Sequence, residues 1–203
     1  KLADENTALN AVRQKYNDCQ RRITALESRQ NVLNNMQKAY EGFGYGVKAV
    51  IRAEEGWRGK VIGVAAKLIN VEAQYVTAIE TALGAASQNI VMRDAEAAKA
   101  AIGYLKQHKY GRATFLPLDT IKTYPRKAED NQLKKMPGVL GFADELISCG
   151  QDVEQVFKFL LGRVLVAQDM DAALEAARRS GFRMRVVTLQ GDVVNVGGSL
   201  TGG

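Results

Sequence analysis

Leu2, Leu9, Tyr16 and Ile23 recur every seven residues, and Val12, Cys19, Leu26 and Leu33 recur every seven between them. Apolar positions at that spacing form the a/d seam of a coiled coil, since they stay on one side of a helix. The positions between are Arg, Gln, Asn, Lys and Glu, and no Gly or Pro interrupts residues 1–41. The pattern predicts a coiled-coil arm, roughly 60 Å long at about 1.5 Å per residue. Its register weakens at Gln30 and Gln37, with Met36 and Tyr40 off the seam, which suits a junction with the body that follows. Such a seam needs a partner helix. No second heptad segment appears before Gly203, and the chain starts at Lys1 rather than Met, so it reads as a fragment whose returning arm lies elsewhere in a parent chain. An arm that pairs with a second copy of itself is the alternative.

After Gly42 the periodicity shortens and alternates. A short helical or mixed segment over Val47–Ala53 leads through a turn carrying Trp57 to a strand over Val61–Ala66. An amphipathic helix over Glu72–Leu83 is closed by Gly84, and Ile90–Met92 is a strand. Asp94 caps a helix over Ala95–Gln107, and Arg112–Leu116 is a strand ended by Pro117. The second half is expected to repeat this order. Val139–Ala143 is a strand, Asp152–Leu161 a helix and Val164–Ala167 a strand. Asp169 caps a helix through Arg179, Arg183–Leu189 is a strand, and Gly191-Asp192 turns into a strand over Val193–Val196. Asp119–Gly138 is a charged connector containing Pro125 and Pro137.

The two halves are a duplication. Val61-Ile62-Gly63-Val64-Ala65-Ala66-Lys67-Leu68-Ile69 returns 78 residues later as Val139-Leu140-Gly141-Phe142-Ala143-Asp144-Glu145-Leu146-Ile147. Ala82-Leu83-Gly84 maps onto Leu160-Leu161-Gly162 at the same offset. Ile90 to Asp94 then maps onto Leu165 to Asp169 at an offset of 75, so a loop has lost three residues. A repeat fixes the architecture before any other feature does. The expected division is an arm at 1–41, a first half at 42–118, a connector at 119–138 and a second half at 139–203. Strands alternating with helices make the body mixed α/β.

Composition changes this picture little. Hydrophobic residues at 46% and charged ones at 25% suit a soluble globular protein with no membrane span. Cys19 and Cys149 stand apart without a CxxC or a nearby His, which argues against a disulfide or metal framework and for a reducing cytoplasm. The net charge of +6 is uneven: ten cations oppose six anions over residues 42–118, whereas 119–203 balances. That leaves a polyanion partner and simple solubility as competing explanations. No HExxH, GxSxG or phosphate-loop ending occurs, and His108 reads as a surface residue. No catalytic residue or cofactor is expected in this chain. The tail Gly197-Gly198-Ser199-Leu200-Thr201-Gly202-Gly203 follows a strand and favours close backbone approach over a loose linker.

A coiled-coil arm, a duplicated α/β body, the run Gly111-Arg112-Ala113-Thr114-Phe115-Leu116-Pro117-Leu118 and the closing glycine-rich tail occur here in that order. Together with Ala78 to Gly84 and Asn89-Ile90-Val91, this resembles the hinge domain of bacterial structural-maintenance-of-chromosomes (SMC) proteins. The resemblance covers residues 42–203 nearly throughout. It implies a homodimer that joins two antiparallel coiled-coil arms into a ring-like assembly acting in chromosome condensation and segregation. It also implies an ATPase head, using ATP and Mg, in a part of the parent absent here, and a cytoplasmic, nucleoid-associated location. The family's glycine signature at the dimer contact falls on Gly197, Gly198, Gly202 and Gly203, with Ser199 between them.

The resemblance further implies non-specific DNA binding, with a single-strand preference in some members. Arg183, Met184 and Arg185 alternate on a predicted strand, so both arginines are expected to face away from the core. Lys122, Arg126, Lys127, Lys134 and Lys135 in or beside the connector are the next candidates, with Lys106, Lys109 and Arg112 in the first half. Tyr110 and Tyr124 lie among these cations as candidate stacking rings. A purely structural coiled-coil assembly without DNA binding is the runner-up, and an α/β nucleotide-binding enzyme is a third reading.

Overall fold

The computed structural model describes residues 13–24, 26–27 and 42–203. Residues 1–43 and 44–203 form two separate units. In the first, residues 13–24 and 26–27 are helical (α1). Tyr16, Ile23 and Leu26 are 63%, 51% and 66% exposed, and Cys19 is exposed too. These four seam positions are therefore uncovered. The seam positions Leu2, Leu9, Val12 and Leu33, and the weakened register near Gln30 and Gln37, lie outside the described residues.

The second unit begins with α2 (Tyr45–Arg52) and continues through β1 (Val61–Val64), β2 (Ile69–Val71), α3 (Val76–Leu83), β3 (Ile90–Met92), α4 (Ala95–Gln107) and β4 (Phe115–Pro117). After α5 (Ala128–Leu133) the order returns as β5 (Val139–Phe142), β6 (Ile147–Cys149), α6 (Glu154–Leu161), β7 (Val164–Ala167), α7 (Met170–Arg179) and β8 (Arg185–Thr188). The hairpin strands β9 (Val193–Val194) and β10 (Leu200–Thr201) close the chain. A three-stranded sheet has the order β1-β3-β4, a five-stranded one the order β10-β9-β8-β7-β5, and β2 and β6 form a two-stranded sheet of their own.

The duplication extends to the hydrogen-bond register. β1 meets β3 antiparallel with Val61 opposite Met92 and Gly63 opposite Val91, so Ile62 is bulged. β5 meets β7 with Val139 opposite Ala167 and Gly141 opposite Val166, bulging Leu140 at the equivalent place. A bulge inserts one residue and raises local twist, and its recurrence shows that both halves turn the chain the same way. Each half then adds a parallel strand, β4 on β3 and β8 on β7. Asp94 accepts a hydrogen bond from the Ala97 N–H at 2.8 Å, and Asp169 accepts one from the Ala172 N–H at 2.9 Å. Both are the expected N-caps.

The link between the halves was not anticipated. β2 pairs antiparallel with β6, Ile69 opposite Cys149 and Val71 opposite Ile147, with Asn70 opposite Ser148 at the centre. Asn70 and Ser148 are equivalent positions of the repeat, so the local two-fold passes between them. α3 and α6 pack on the same core: Ile79, Ala82 and Leu83 meet Val156, Phe157 and Leu161, together with Val91 and Val166 from the three- and five-stranded sheets. A second cluster holds Phe142, Leu165, Ala173, Ala177, Met184 and Val186 between α7 and the larger sheet, with Leu133 of α5 added.

Several expected boundaries move. The first strand stops at Val64, where a 3-10 turn over Ala65–Lys67 begins, and another over Ala73–Tyr75 precedes α3. The connector contains α5, which buries Leu133 and Asp130. The expected strand over 112–116 begins later, at Phe115, and Pro117 is its last residue. Thr114 O accepts from Ile90 N and Leu118 N donates to Met92 O, each at 2.9 Å, so residues 114, 116 and 118 face β3. Pro117 faces outward, where a missing N–H costs nothing in the ladder.

Replacing Asp169 by Ala is expected to lower stability by about 1 kcal/mol through loss of the α7 cap, read as a fall in the urea midpoint at unchanged m-value. The Asp94 cap carries a pH dependence. The Ala97 N–H and Lys60, its ion-pair partner at 3.1 Å, hold its carboxyl below the ordinary range. A depressed carboxyl stabilises above its unfolded pKa of about 3.9 and loses that contribution as pH falls through the folded value. The stability gap between the protein and Asp94→Ala, measured by urea titration, should therefore be full at neutral pH and shrink below about pH 4.

Candidate interface

The closing glycine-rich segment folds into a hairpin. Gly197 and Gly198 have φ of 86° and 96°, backbone that β-carbons disfavour, and they turn the chain between β9 and β10. Asn195 N donates to Ser199 O at 2.8 Å and Gly197 N donates to Phe182 O at 3.0 Å. A Cβ on Gly202 would collide with the Asp192 carboxylate of the same chain. Three of the four signature glycines therefore have a reason within their own protomer, and Gly203 (φ 114°) has open space around it.

The outermost strand is β10, with Leu200 55% exposed and Val196 beside it 64% exposed. Because Asn195 and Ser199 form a bonded pair, the next pair, Val194 and Leu200, is a non-bonded one. Leu200 accordingly turns its N–H and C=O away from β9. The opposite edge belongs to β4, where Phe115 turns its N–H and C=O away from β3 and Pro117 offers only a carbonyl. A groove of about 530 Å³ runs beside this edge, lined by Ala98, Ile102, Phe115 and Pro117 among others. The first half has no counterpart of the β9–β10 hairpin, so its edge is left where the second half's is continued.

The basic candidates divide into two groups. Arg185 lies on β8 with Met184 buried beside it, but its guanidinium turns inward. Its Nη1 donates to Ala82 O at 2.9 Å and its Nη2 to Thr81 O at 3.1 Å, capping the C-terminus of α3. Burial lowers its pKa. Arg126 likewise donates from Nε to Gly162 O at 2.7 Å and from Nη1 to Glu145 at 2.9 Å, and pairs through Nη2 with Asp144. Its guanidinium also sits 3.8 Å over the Phe142 ring. Burial pushes the Asp144 carboxyl up, against Arg126; Glu145, though burial opposes it, is held below its usual range by Lys134 and Arg126.

Both arginines thus depart from the expectation of free phosphate contacts. Buried guanidinium donors must be satisfied internally, and here they are, apart from Arg185 Nε. Lys134 donates to Glu145 at 3.1 Å, and Arg183, just before β8, lies 3.4 Å from Asp130. Lys122, Lys127, Lys135, Lys106, Lys109 and Arg112 are exposed, as is Tyr124 at 75%. Tyr110 is half-buried. Inward-facing arginines could not be told from free ones by alternation, because their partners come from segments far away in sequence.

The missed pairing of β2 with β6 did leave a signal. Ile69-Asn70-Val71 and Ile147-Ser148-Cys149 alternate apolar and polar at the 78-residue offset, the period-2 mark of a strand. Three residues are too few to register without the repeat.

Comparison with known proteins agrees with this geometry. The family model for the flexible hinge domain of SMC proteins matches residues 58–177. The chain is 43% identical over 182 residues to the chromosome partition protein Smc of Bacillus subtilis, covering 89% of this chain and 15% of that protein. It is 37% identical over 191 residues to the Smc of Halothermothrix orenii, covering 94% and 16%. The chain thus spans about a sixth of these relatives. Among solved structures, the Geobacillus stearothermophilus SMC hinge domain, an asymmetric dimer, matches with a TM-score of 0.84 at 39% identity, covering 100% of this chain and 83% of that one. The Pyrococcus furiosus SMC hinge domain matches at 0.64 and 32% identity, covering 87% and 88%. With a family model over more than half its length, a duplicated mixed α/β body and relatives of this identity, the chain belongs to the SMC hinge domain family.

Proposed function

We propose that this chain is the homodimerisation hinge of a chromosome-segregating SMC protein and that it joins two coiled-coil arms into a ring-like assembly. The observation that carries the reading is the pair of complementary edges. β10 of one protomer adds to β4 of the other, Leu200 and Phe115 exchanging their outward N–H and C=O groups. Two such contacts related by a two-fold close the dimer without leaving either edge open. Val196 and Leu200 supply the apolar side chains and the groove beside β4 receives them. The exposed seam of α1 fits an arm whose partner is a returning helix of the same parent chain. ATP hydrolysis, with its Mg, is assigned to a part of the parent outside this chain. No helix among the described residues is long and apolar enough to cross a membrane. The same reading places the parent in the cytoplasm, associated with the nucleoid.

The same reading includes non-specific DNA binding through exposed cations, chiefly Lys106, Lys109, Arg112, Lys122, Lys127 and Lys135. Contacts of this kind read phosphates without reading sequence, with Kd on the order of 10⁻⁴ to 10⁻⁶ M at physiological salt.

Light scattering tests the dimer. The protein should weigh as two chains, and Leu200→Pro should weigh as one, because proline removes the outward donor while the ladder to β9 does not use it. A dimer that survives this substitution with an unchanged melting curve would place self-association elsewhere. DNA binding is tested by its salt dependence. Replacing Lys106, Lys109 and Arg112 by Gln should flatten the log–log salt slope by up to about 0.9 per lost phosphate contact on duplex. Arg126→Gln should leave that slope unchanged and instead lower stability by about 3 kcal/mol, since it strands the buried Asp144. No binding at low salt would leave the assembly role alone.

A further inference from the structure

The duplication reaches beyond the strands, to the helix that precedes each half's first strand. α2 and α5 begin at an offset of 128 − 45 = 83 residues, whereas β1 and β5 begin at 139 − 61 = 78. The difference is five residues, the length of the 3-10 turn over Gly56–Lys60 that the first half inserts between helix and strand. This turn lies over α2 and α4: Arg58 Nε donates to Ile51 O at 2.8 Å, and Trp57 meets Tyr104 edge-on with centroids 5.6 Å apart. Lacking such a turn, α5 and α7 leave a cavity of about 470 Å³ between them, lined in part by Leu133 and Met136.

Two core positions change character between the copies. Buried Val47 of α2 corresponds to Asp130 of α5, and each is 4% exposed. At the 75-residue offset that relates Asp94 to Asp169, buried Leu105 corresponds to buried Ser180, and Tyr104 to the exposed Arg179. Asp130, Ser180 and Arg179 all line the cavity. Among the described residues the buried polar or charged ones are Asp130, Ser180 and Thr188, so two of the three meet here. Burying a carboxylate where its twin keeps a valine is unfavourable unless donors satisfy it. The protein's own donor is Arg183, whose Nη2 stands 3.4 Å from Asp130 Oδ1 and whose side chain is 43% exposed. A guanidinium–carboxylate bond is normally about 2.7–2.9 Å, so Arg183 holds the place loosely. Ser180 Oγ gives its proton to Ala177 O at 2.8 Å, and toward the cavity it can only accept.

We propose that the α5–α7 cavity binds a free amino acid with a cationic side chain, whose guanidinium or ammonium donates to Asp130 and Ser180 while its carboxylate meets Arg179. Two converging acceptors select a cationic donor, and an exposed arginine supplies a planar fork for the anionic end. Three carboxylates (Glu129, Asp130 and Glu175) line the cavity against two guanidiniums (Arg179 and Arg183), which suits a ligand of net positive charge. Glu175 stands 3.8 Å from Arg178, so Glu129 is the carboxylate open to the α-ammonium. The volume lies within the roughly 300–1,000 Å³ of small-ligand sites, which join apolar walls to a few placed polar groups. Bound ligand displaces Arg183 from Asp130 and leaves that guanidinium to join Arg179 on the carboxylate. A copy that exchanges apolar core residues for polar ones breaks a packing rule its twin keeps, as binding sites do.

Isothermal titration calorimetry on the whole chain tests this, with L-arginine, agmatine and L-citrulline as probes. L-Arginine should bind and raise the melting temperature. Agmatine lacks the carboxylate and citrulline carries a neutral side chain, so each should bind roughly 10- to 100-fold more weakly, the effect of losing one charged hydrogen-bonding group. Asp130→Val with Ser180→Leu gives the second half the residues of the first. That double variant should stop binding and melt no lower than the parent. Arg179→Gln, a change at an exposed position, should bring L-arginine down to the affinity of agmatine with the unliganded melting temperature unchanged. Absence of heat from L-arginine at millimolar concentration, citrulline binding as tightly as arginine, or binding that survives either variant would each overturn the site. Agmatine binding as tightly as arginine would also overturn the free amino acid, and would assign the cavity to a basic side chain of another protein.

Discussion

A hydrophobic core shared by two half-bodies is the constraint on which the molecule depends. α3 buries Ile79, Ala82 and Leu83, and α6 buries Val156, Phe157 and Leu161, into one cluster. Neither face has a cover of its own. At about 1.5–3 kcal/mol for each large side chain removed from water, separating the halves would forfeit a sum comparable with the usual stability of a whole domain. The β2–β6 pairing centred on Asn70 and Ser148 sets how they meet. The halves are held in one relation, and so are the two sheet edges they carry.

Those edges are unequal although the halves are copies. The second half runs on past β8 into the β9–β10 hairpin, whereas the first stops at β4. One edge therefore ends in a short, exposed strand and the other in a strand that lacks such a neighbour. A duplication alone yields two like surfaces. An added hairpin on one copy makes them unlike, and the proposed two-fold dimer uses that difference. Most of the glycines that make the hairpin possible answer to their own protomer: Gly197 and Gly198 to a turn, and Gly202 to Asp192.

The cations divide by chemistry. Arg126 and Arg185 reach backbone carbonyls and carboxylates inside the body, where a planar fork of donors satisfies several acceptors at once. Lysines at the surface keep a compact, hydrated charge on a flexible stem, suited to phosphates that need no fixed geometry. Net charge by region consequently overstates what a polyanion would meet. The first half keeps its exposed Lys106, Lys109 and Arg112, while the connector loses Arg126 to the interior and engages Lys134 with Glu145.

The duplication and its three-residue deletion, both helix caps and the family were legible in the chain itself, because each depends on periodicity, spacing or a local bond between residues three apart. The β8 alternation correctly buried Met184. What escaped was everything joined over long separations. The β2–β6 link brings together segments 78 residues apart, α5 is held by a core cluster built from distant strands, and Arg185 reaches carbonyls more than 100 residues away. Local sequence specifies which groups need partners, through polarity and backbone preference. Only the packed chain decides which partners they get, since that choice is settled by burial among all competing contacts at once.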